Sequence, residues 1–165
     1  TRPHFFDGIA NVIIRLCMQM RPSHLYVGEK DYQQYKIIQH VVSEFALPIA
    51  VIACPVIRES DGLAMSSRNL YLDASDRKQA ATGYQALTAM QQAFYAGETD
   101  PSRLIAIGKK QLGTADRIVI DYLGIANPDT LAPVQASVRE TDRIMLAFSI
   151  GKTRLIDTAA FDDCM

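Results

Sequence analysis

Two polar stretches carry the residue types that nucleotide chemistry needs. The first is Gly28-Glu29-Lys30-Asp31-Tyr32-Gln33-Gln34. It follows a short apolar run, His24-Leu25-Tyr26-Val27, and precedes an amphipathic segment. A strand that ends at a glycine and feeds a helix sets free backbone N–H groups at the carboxyl edge of a sheet. Open α/β sheets bind ligands there, and the helix dipole favours phosphate. In that setting Gly28 lets a ligand approach the backbone and Lys30 supplies a mobile positive charge. Asp31 can accept hydrogen bonds from ribose hydroxyls. Gln34, one turn beyond Lys30, is expected on the same helical face. An ordinary helix start with a solvated turn fits this stretch equally well.

The second stretch is Arg58-Glu59-Ser60-Asp61-Gly62-Leu63-Ala64-Met65-Ser66-Ser67-Arg68-Asn69. Two adjacent hydroxyls followed by a guanidinium can hold a polyphosphate, because arginine offers forked donors to non-bridging oxygens. Gly62 gives the loop a hinge. The competing reading is a flexible linker whose charges stay in water. A serine hydrolase is disfavoured: no histidine is near in sequence and no G-x-S-x-G is present. The other candidates read as structural. Cys17, Met18 and Met20 are expected in a core or at its border. His40 is expected on a helix surface, and Asp157, Asp162 and Asp163 in a solvated terminus.

The elements that must position these residues follow from periodicity. Ile9, Val12, Ile13, Leu16, Cys17 and Met20 predict a helix over 7–20, capped by Asp7 and stopped by Arg21-Pro22. His24–Val27 reads as a buried strand, 31–45 as a helix and 49–54 as a second strand. This βαβ unit implies a parallel sheet. Two parallel strands alone leave edges unpaired, so further strands are expected before Thr1. After Pro55 the pattern changes. One long helix is expected from about Asp73 or Ser75 to Ala96, closed by Gly97, and another from Asp100-Pro101 to Gly113. Segments 117–125, 142–150 and 152–157 alternate like strands joined by tight turns. The fold class is therefore α/β: a βαβ part over 1–56, then a small α+β domain with an antiparallel sheet over 57–165.

Composition removes other classes. The chain has 165 residues, a net charge of −1 and 48% hydrophobic residues. A chain of this size buries roughly two-thirds of its unfolded surface and needs no disulfide or metal staple. A near-neutral chain is not a dedicated nucleic-acid binder, and no apolar run reaches the roughly 18 residues of a membrane span. Cys17, Cys54 and Cys164 are odd in number and form no CxxC pair, which fits a reduced, cytoplasmic protein. Three scattered histidines, His4, His24 and His40, share no metal-ligand spacing with them. The chain opens Thr1-Arg2-Pro3 without a methionine, as expected of a piece of something longer.

Together the two stretches, with Leu70-Tyr71-Leu72, the leading Arg2-Pro3 and the closing Thr153-Arg154-Leu155-Ile156-Asp157, closely resemble the pantothenate synthetase (pantoate–β-alanine ligase) family. The resemblance runs over essentially the whole chain. It implies an ATP-dependent ligation in two steps: pantoate and Mg-ATP give pantoyl adenylate and pyrophosphate, then β-alanine releases AMP. It implies a nucleotidyltransferase-type Rossmann domain, of which 1–56 is the last part, followed by a small domain over 57–165 that closes over the nucleotide. The family's ATP-binding GEKD segment falls on Gly28, Glu29, Lys30 and Asp31, and its pantoate glutamine on Gln34. Its adenine-contacting backbone position falls on Ile57. Its flexible phosphate loop, a counterpart of the KMSKS loop of class I tRNA synthetases, falls on Met65, Ser66, Ser67 and Arg68. Lys30 and Arg68 are the implied catalytic charges.

The chain departs from the family pattern in two places. Where the family shows Arg-Pro-x-His-Phe-x-Gly, this chain has Arg2-Pro3-His4-Phe5-Phe6-Asp7-Gly8. Phe5 stands at the histidine position, so no role carries over to His4. The family's H-x-G-H motif, a second pantoate glutamine and an acidic Mg2+ site belong to its first two-fifths, which has no counterpart here. The resemblance thus implies the C-terminal portion of a homodimeric cytoplasmic enzyme, inactive as an isolated fragment. Another adenylate-forming nucleotidyltransferase and a non-catalytic nucleotide-binding or assembly module are the alternatives, separated by whether H-x-G-H precedes this sequence.

Overall fold

A computed structural model describes residues 5–164, and the side chains of 6–163. The chain divides into two compact units, 1–56 and 57–165.

In the first unit, helix α1 (Phe5–Met20) precedes strand β1 (His24–Gly28), helix α2 (Tyr32–Glu44) and strand β2 (Ala50–Cys54). The strands pair in parallel, with Gly28 opposite Cys54 at their carboxyl ends. Alternation decides the two faces. Leu25, Val27 and Val51 pack with Ile38, Val42 and the α1 residues Ile9 and Ile13. Tyr26 and Ile52, opposite each other in the ladder, are exposed.

Two sequence expectations change here. Helix α1 begins at Phe5, so Asp7 lies in its first turn, where a carboxylate suits the dipole, and is not the cap. The helix ends as expected: Arg21 takes a left-handed φ of 48°, its N–H donates to the Cys17 carbonyl, and Pro22 follows. Its apolar stripe is only half used. Cys17 is buried, but Val12, Leu16, Met18 and Met20 are exposed. Within this unit α1 has one helical neighbour, α2, so a stripe wider than one contact face leaves its flank uncovered.

In the second unit, helices α3 (Ala74–Ala80), α4 (Thr82–Tyr95) and α5 (Pro101–Leu112) precede strands β3 (Ile118–Ala126), β4 (Arg143–Ile150) and β5 (Thr153–Ala160). The sheet is antiparallel in the order β3-β4-β5. Its core sets Leu87, Met90 and Leu104 of the helices against Leu123, Leu146 and Phe148 of the strands. Most of these side chains are fully buried, each contributing about 1.5–3 kcal/mol of transfer free energy. Gly83 permits the contact, since a Cβ there would lie 2.8 Å from the Phe148 ring.

The single helix expected over 73–96 is two. Ala81 keeps helical angles (φ −59°, ψ −21°), but the hydrogen bonds about it lengthen: Ala81 to Arg77 O is 3.2 Å and Gln85 to Ala81 O is 3.3 Å. Gly83, a weak helix former seated against Phe148, lies at this hitch. Asp73 and Asp100 cap α3 and α5 through their carboxylates. Gly97 has φ +100°, whereas Gly113 ends α5 with an ordinary φ of −67°. Gly151 starts the tight β4–β5 turn with φ +54°. No tight turn joins β3 to β4: residues 127–142 form a long connection, with Leu131 at φ +58° and Val138 buried.

Candidate phosphate-facing segments

The first segment sits at the carboxyl end of the parallel pair. Gly28 closes β1 with an ordinary extended conformation (φ −69°, ψ 132°). A Cβ at Gly28 would meet no protein atom within 4 Å. Its missing side chain therefore leaves open space above the backbone and relieves no strain. Glu29–Asp31 form a 3-10 turn, and α2 starts at Tyr32. Asp31, with φ −96° and ψ 57°, makes no side-chain cap for α2. The shared helical face expected for Lys30 and Gln34 is not realised, because the Asp31 angles interrupt the helix between them. Lys30 is half-buried and has no ion-pair partner among the described residues. Asp31 is exposed and Gln34 half-buried.

The second segment is no wet linker. Backbone hydrogen bonds fold 57–65 into a small hairpin: Met65 N–H donates to Ile57 O, Glu59 N–H to Leu63 O and Gly62 N–H to Glu59 O. Gly62 has φ +86° and lies against the Tyr84 ring, where any Cβ would collide. Leu63 and Ala64 are buried and plug the hairpin into the core. The charges are paired. Arg58 donates to both carboxylate oxygens of Asp157 (2.7 and 3.1 Å) and to Gly62 O, and its guanidinium lies 4.2 Å from the Tyr84 ring centre. Arg77 of α3 binds Glu59 and Asp61.

These contacts set the local electrostatics. The Glu59 carboxyl is held below its ordinary 4.5 by the Asn69 amide and then by Arg77. Burial pushes the Asp61 carboxyl up, but the Leu63 N–H and Arg77 outweigh it and leave it below 3.8. Arg77 is raised further above its ordinary value by its bonds to Glu59 and then Asp61.

The residues that follow the hairpin remain open. Ser66 is half-buried and its Oγ accepts the Arg68 N–H at 3.3 Å. Met65, Ser67 and Arg68 are exposed, and the Arg68 guanidinium has no ion-pair partner among the described residues. Ile57 is exposed, and its carbonyl is engaged by Met65 N–H.

The solvated terminus expected around Asp157 is corrected. Asp157 lies in β5, only 6% exposed, beneath Arg58. Asp163 accepts the Ala160 N–H and pairs with Arg143, while Asp162 is exposed. Met18 and Met20, expected in or beside the core, are exposed. Cys17 and Cys54 are free thiols; the Cys164 side chain and His4 lie outside the described residues. His40 is exposed. Sequence reasoning gave no role to Asn69, the buried neighbour of Arg68. No group of three or more His, Cys, Asp or Glu that could hold a metal ion is found among the described residues. No helix among them is long and apolar enough to cross a membrane.

Comparison with known proteins gives a consistent set of relatives. The family profile for pantoate-beta-alanine ligase matches residues 1–160. Pantothenate synthetase of Herpetosiphon aurantiacus is 42% identical over 156 residues, covering 94% of this chain and 56% of that protein. A bifunctional pantoate ligase/cytidylate kinase of Synechococcus elongatus is 41% identical over 158 residues, covering 94% and 29%. The crystal structure of pantothenate synthetase from Thermus thermophilus superposes with a TM-score of 0.93 at 36% identity, covering 97% of this chain and 57% of that one. Pantoate-beta-alanine ligase from Francisella tularensis, complexed with beta-gamma ATP and beta-alanine, gives 0.70 at 30% identity, covering 98% and 52%. The chain thus spans about half the length of the pantothenate synthetases it matches. These matches make the fold α/β of the nucleotidyltransferase type seen in those enzymes.

Proposed function

Since the chain belongs to the pantoate-beta-alanine ligase family, we propose that its residues serve the ATP-dependent ligation of pantoate to β-alanine through a pantoyl adenylate. The observation that carries this reading is the contrast within the second segment. Arg58, Glu59 and Asp61 are tied down, while Ser67 and Arg68 are held open beside them. Such a loop offers donors on a fixed base.

In the first step a pantoate carboxylate oxygen attacks the α-phosphorus, the α–β bridging P–O bond breaks, and pyrophosphate leaves. Negative charge grows on the phosphate oxygens, where Lys30, Ser66, Ser67 and Arg68 donate. Gly28, Glu29, Asp31, Ile57 and Met65 bind the nucleotide, and the Gln34 amide binds pantoate. In the second step the β-alanine amine attacks the adenylate carbonyl and loses a proton as the C–N bond forms, the acyl C–O bond breaks, and AMP leaves with that oxygen. Positioning and charge stabilisation suffice, and no covalent enzyme intermediate is required. Mg2+ would neutralise triphosphate charge when bound. The described residues offer no acidic cluster to hold it, so its ligands are assigned to the part of the enzyme beyond these residues. The substrates are small molecules; the full-length enzyme is a cytoplasmic homodimer that engages neither nucleic acid nor membrane.

Because the relatives are nearly twice as long, the 165 residues alone are proposed to lack synthetase activity. Groups from several segments must converge within about 0.5 Å for efficient catalysis. The test measures pantothenate formation from pantoate, β-alanine and Mg-ATP by the full-length protein and by residues 1–165. Activity confined to the full-length protein is expected. No pantoate-dependent turnover in the full-length protein rejects the ligase reading, and equal turnover by the short chain rejects the need for further segments.

A further inference from the structure

Asn69 stands at the base of the open loop, 5% exposed, with both amide hydrogens engaged across the hairpin. Its Nδ2 donates to Glu59 Oε1 at 2.6 Å on one arm and to Ala64 O at 3.1 Å on the other. Its backbone N–H donates to Ser66 O at 3.0 Å, and its carbonyl accepts the Leu72 N–H. Residues 65–68 are therefore spanned at both ends. Ala64 is tied through the Asn69 side chain, and Ser66 through the Asn69 main chain. The tie extends to rigid structure, because Glu59 is also held by Arg77 of α3. Asn69 Oδ1 is enclosed and has no hydrogen-bond partner among the described residues, so the bonds that seat the side chain there are those of its donors.

We propose that Asn69 is a positioning residue for phosphoryl chemistry, holding the Ser66-Ser67-Arg68 donors in register through an Arg77–Glu59–Asn69 relay. The inference rests on the ligase reading of that loop. Asn69 touches no reacting atom; it fixes the Ala64 carbonyl, and hence where the loop leaves the hairpin. Only a neutral amide suits the place. An alanine has no donor, and a carboxyl would set an acceptor against Glu59 Oε1 unless the two shared a proton. Misplacing donors by about 1 Å costs on the order of 100-fold in rate, so a loosened base is felt in adenylation without unfolding the unit.

The test compares wild type, Asn69→Ala and Asn69→Asp in the full-length protein. It reads pantoate-dependent ATP–pyrophosphate exchange, the melting temperature, and hydrogen exchange at the Ser66, Ser67 and Arg68 amides. Expected for Asn69→Ala are faster amide exchange and a kcat for adenylation lower by about 30- to 100-fold, with the KM for pantoate little changed. Asn69→Asp is expected to fail at neutral pH and to regain exchange activity towards acid, as a shared proton replaces the amide hydrogen. Unchanged amide exchange in Asn69→Ala overturns the inference. So does a rate loss that disappears when the assay is cooled well below the variant's melting point, since the role is then stability alone. If amide exchange quickens but the wild type shows no pantoate-dependent reaction, the ligase reading fails and the loop tie stands.

Discussion

Arg58 and Asp157 lie 99 positions apart and meet in a two-point ion pair, Nη1 to Oδ2 at 2.7 Å and Nη2 to Oδ1 at 3.1 Å. The pair joins the hairpin that precedes the open 65–68 loop to the last strand of the sheet. Arg58 also reaches Gly62 O and Thr158 O and lies over Tyr84. One guanidinium thus ties the hairpin's own turn, α4 and β5 together. A planar fork does this and a lysine ammonium cannot.

Asp157→Ala is expected to destabilise the second unit by about 3 kcal/mol, the lower end for removing one partner of a buried pair. Arg58 keeps two carbonyl acceptors and 20% side-chain exposure, which limits the loss. For a chain of this size that lowers the melting temperature by roughly 6–12 °C. Arg58→Lys is expected to fall between wild type and Asp157→Ala. A thermal melt of Asp157→Ala within error of wild type would refute the assigned weight of the pair.

Gly62→Ala tests the turn itself. The backbone there has φ +86°, and an added Cβ would lie 2.2 Å from Tyr84 Cδ1. The left-handed conformation costs an alanine about 1–2 kcal/mol, and overpacking adds about 1–3. The Tyr84 ring must move, which disturbs the Arg58 stack. The expected result is a lower melting temperature together with weaker ordering of 57–65, read from amide hydrogen exchange. Gly28→Ala, which meets open space at an ordinary φ, is the control and should leave the melt unchanged. Equal melts for Gly62→Ala and Gly28→Ala would show that the turn tolerates a side chain.

The ties at Glu59 and Asp61 predict an acid limit for loop order. Both carboxyls are held below their ordinary values of 4.5 and 3.8, whereas Arg77 is raised and stays charged. A depressed folded pKa means that the unfolded chain binds the proton first. The stabilisation is therefore present above the ordinary carboxylate range and is lost as pH falls through the lowered folded values. Amide exchange at 65–69, corrected for its intrinsic pH dependence, should stay constant from about pH 7 to 5 and rise only below about pH 4.5. A transition between pH 5 and 7 would assign the ordering to some other group.

What was legible in the sequence follows from how local each determinant is. The parallel βαβ pattern was readable because His24–Gly28 and Ala50–Cys54 are apolar runs flanking a periodic helix. The hitch at Ala81 was not, because it follows from how Gly83 meets a Phe148 ring 65 positions away. The residue types proposed to bind phosphate, Lys30 and Ser66-Ser67-Arg68, stand out in the sequence by composition alone. The pairing that holds the second set was hidden, since Arg58, Glu59 and Asp61 look like wet loop charges until Asp157, Asn69 and Arg77 arrive from elsewhere. Asp157 was misread for the same reason: a carboxylate near a chain end looks solvated, and only the sheet register buries it. The Lys30–Gln34 spacing misled because it presumes an unbroken helix, and a 3-10 turn intervenes.

Lys30 and Gln34 thus lie on separate elements, and substitution distinguishes the roles proposed for them. Lys30 precedes the helix, half-buried and without an ion-pair partner among the described residues, so its loss removes little packing. In the full-length protein Lys30→Ala is expected to slow pantoate-dependent pyrophosphate release by about 100- to 1000-fold, the usual cost of one donor aimed at developing charge. Its melting temperature should be unchanged. Gln34 lies in the first turn of α2, where a neutral amide can bond a carboxylate or hydroxyl but cannot neutralise a triphosphate. Gln34→Ala is therefore expected to raise the Michaelis constant for pantoate by about tenfold, one lost hydrogen bond, and to leave that for ATP nearly constant. Steady-state kinetics with each substrate varied in turn decide the matter. Near-normal turnover of Lys30→Ala would remove lysine from the phosphate site. An effect of Gln34→Ala confined to ATP would turn α2 towards the nucleotide and reassign the glutamine.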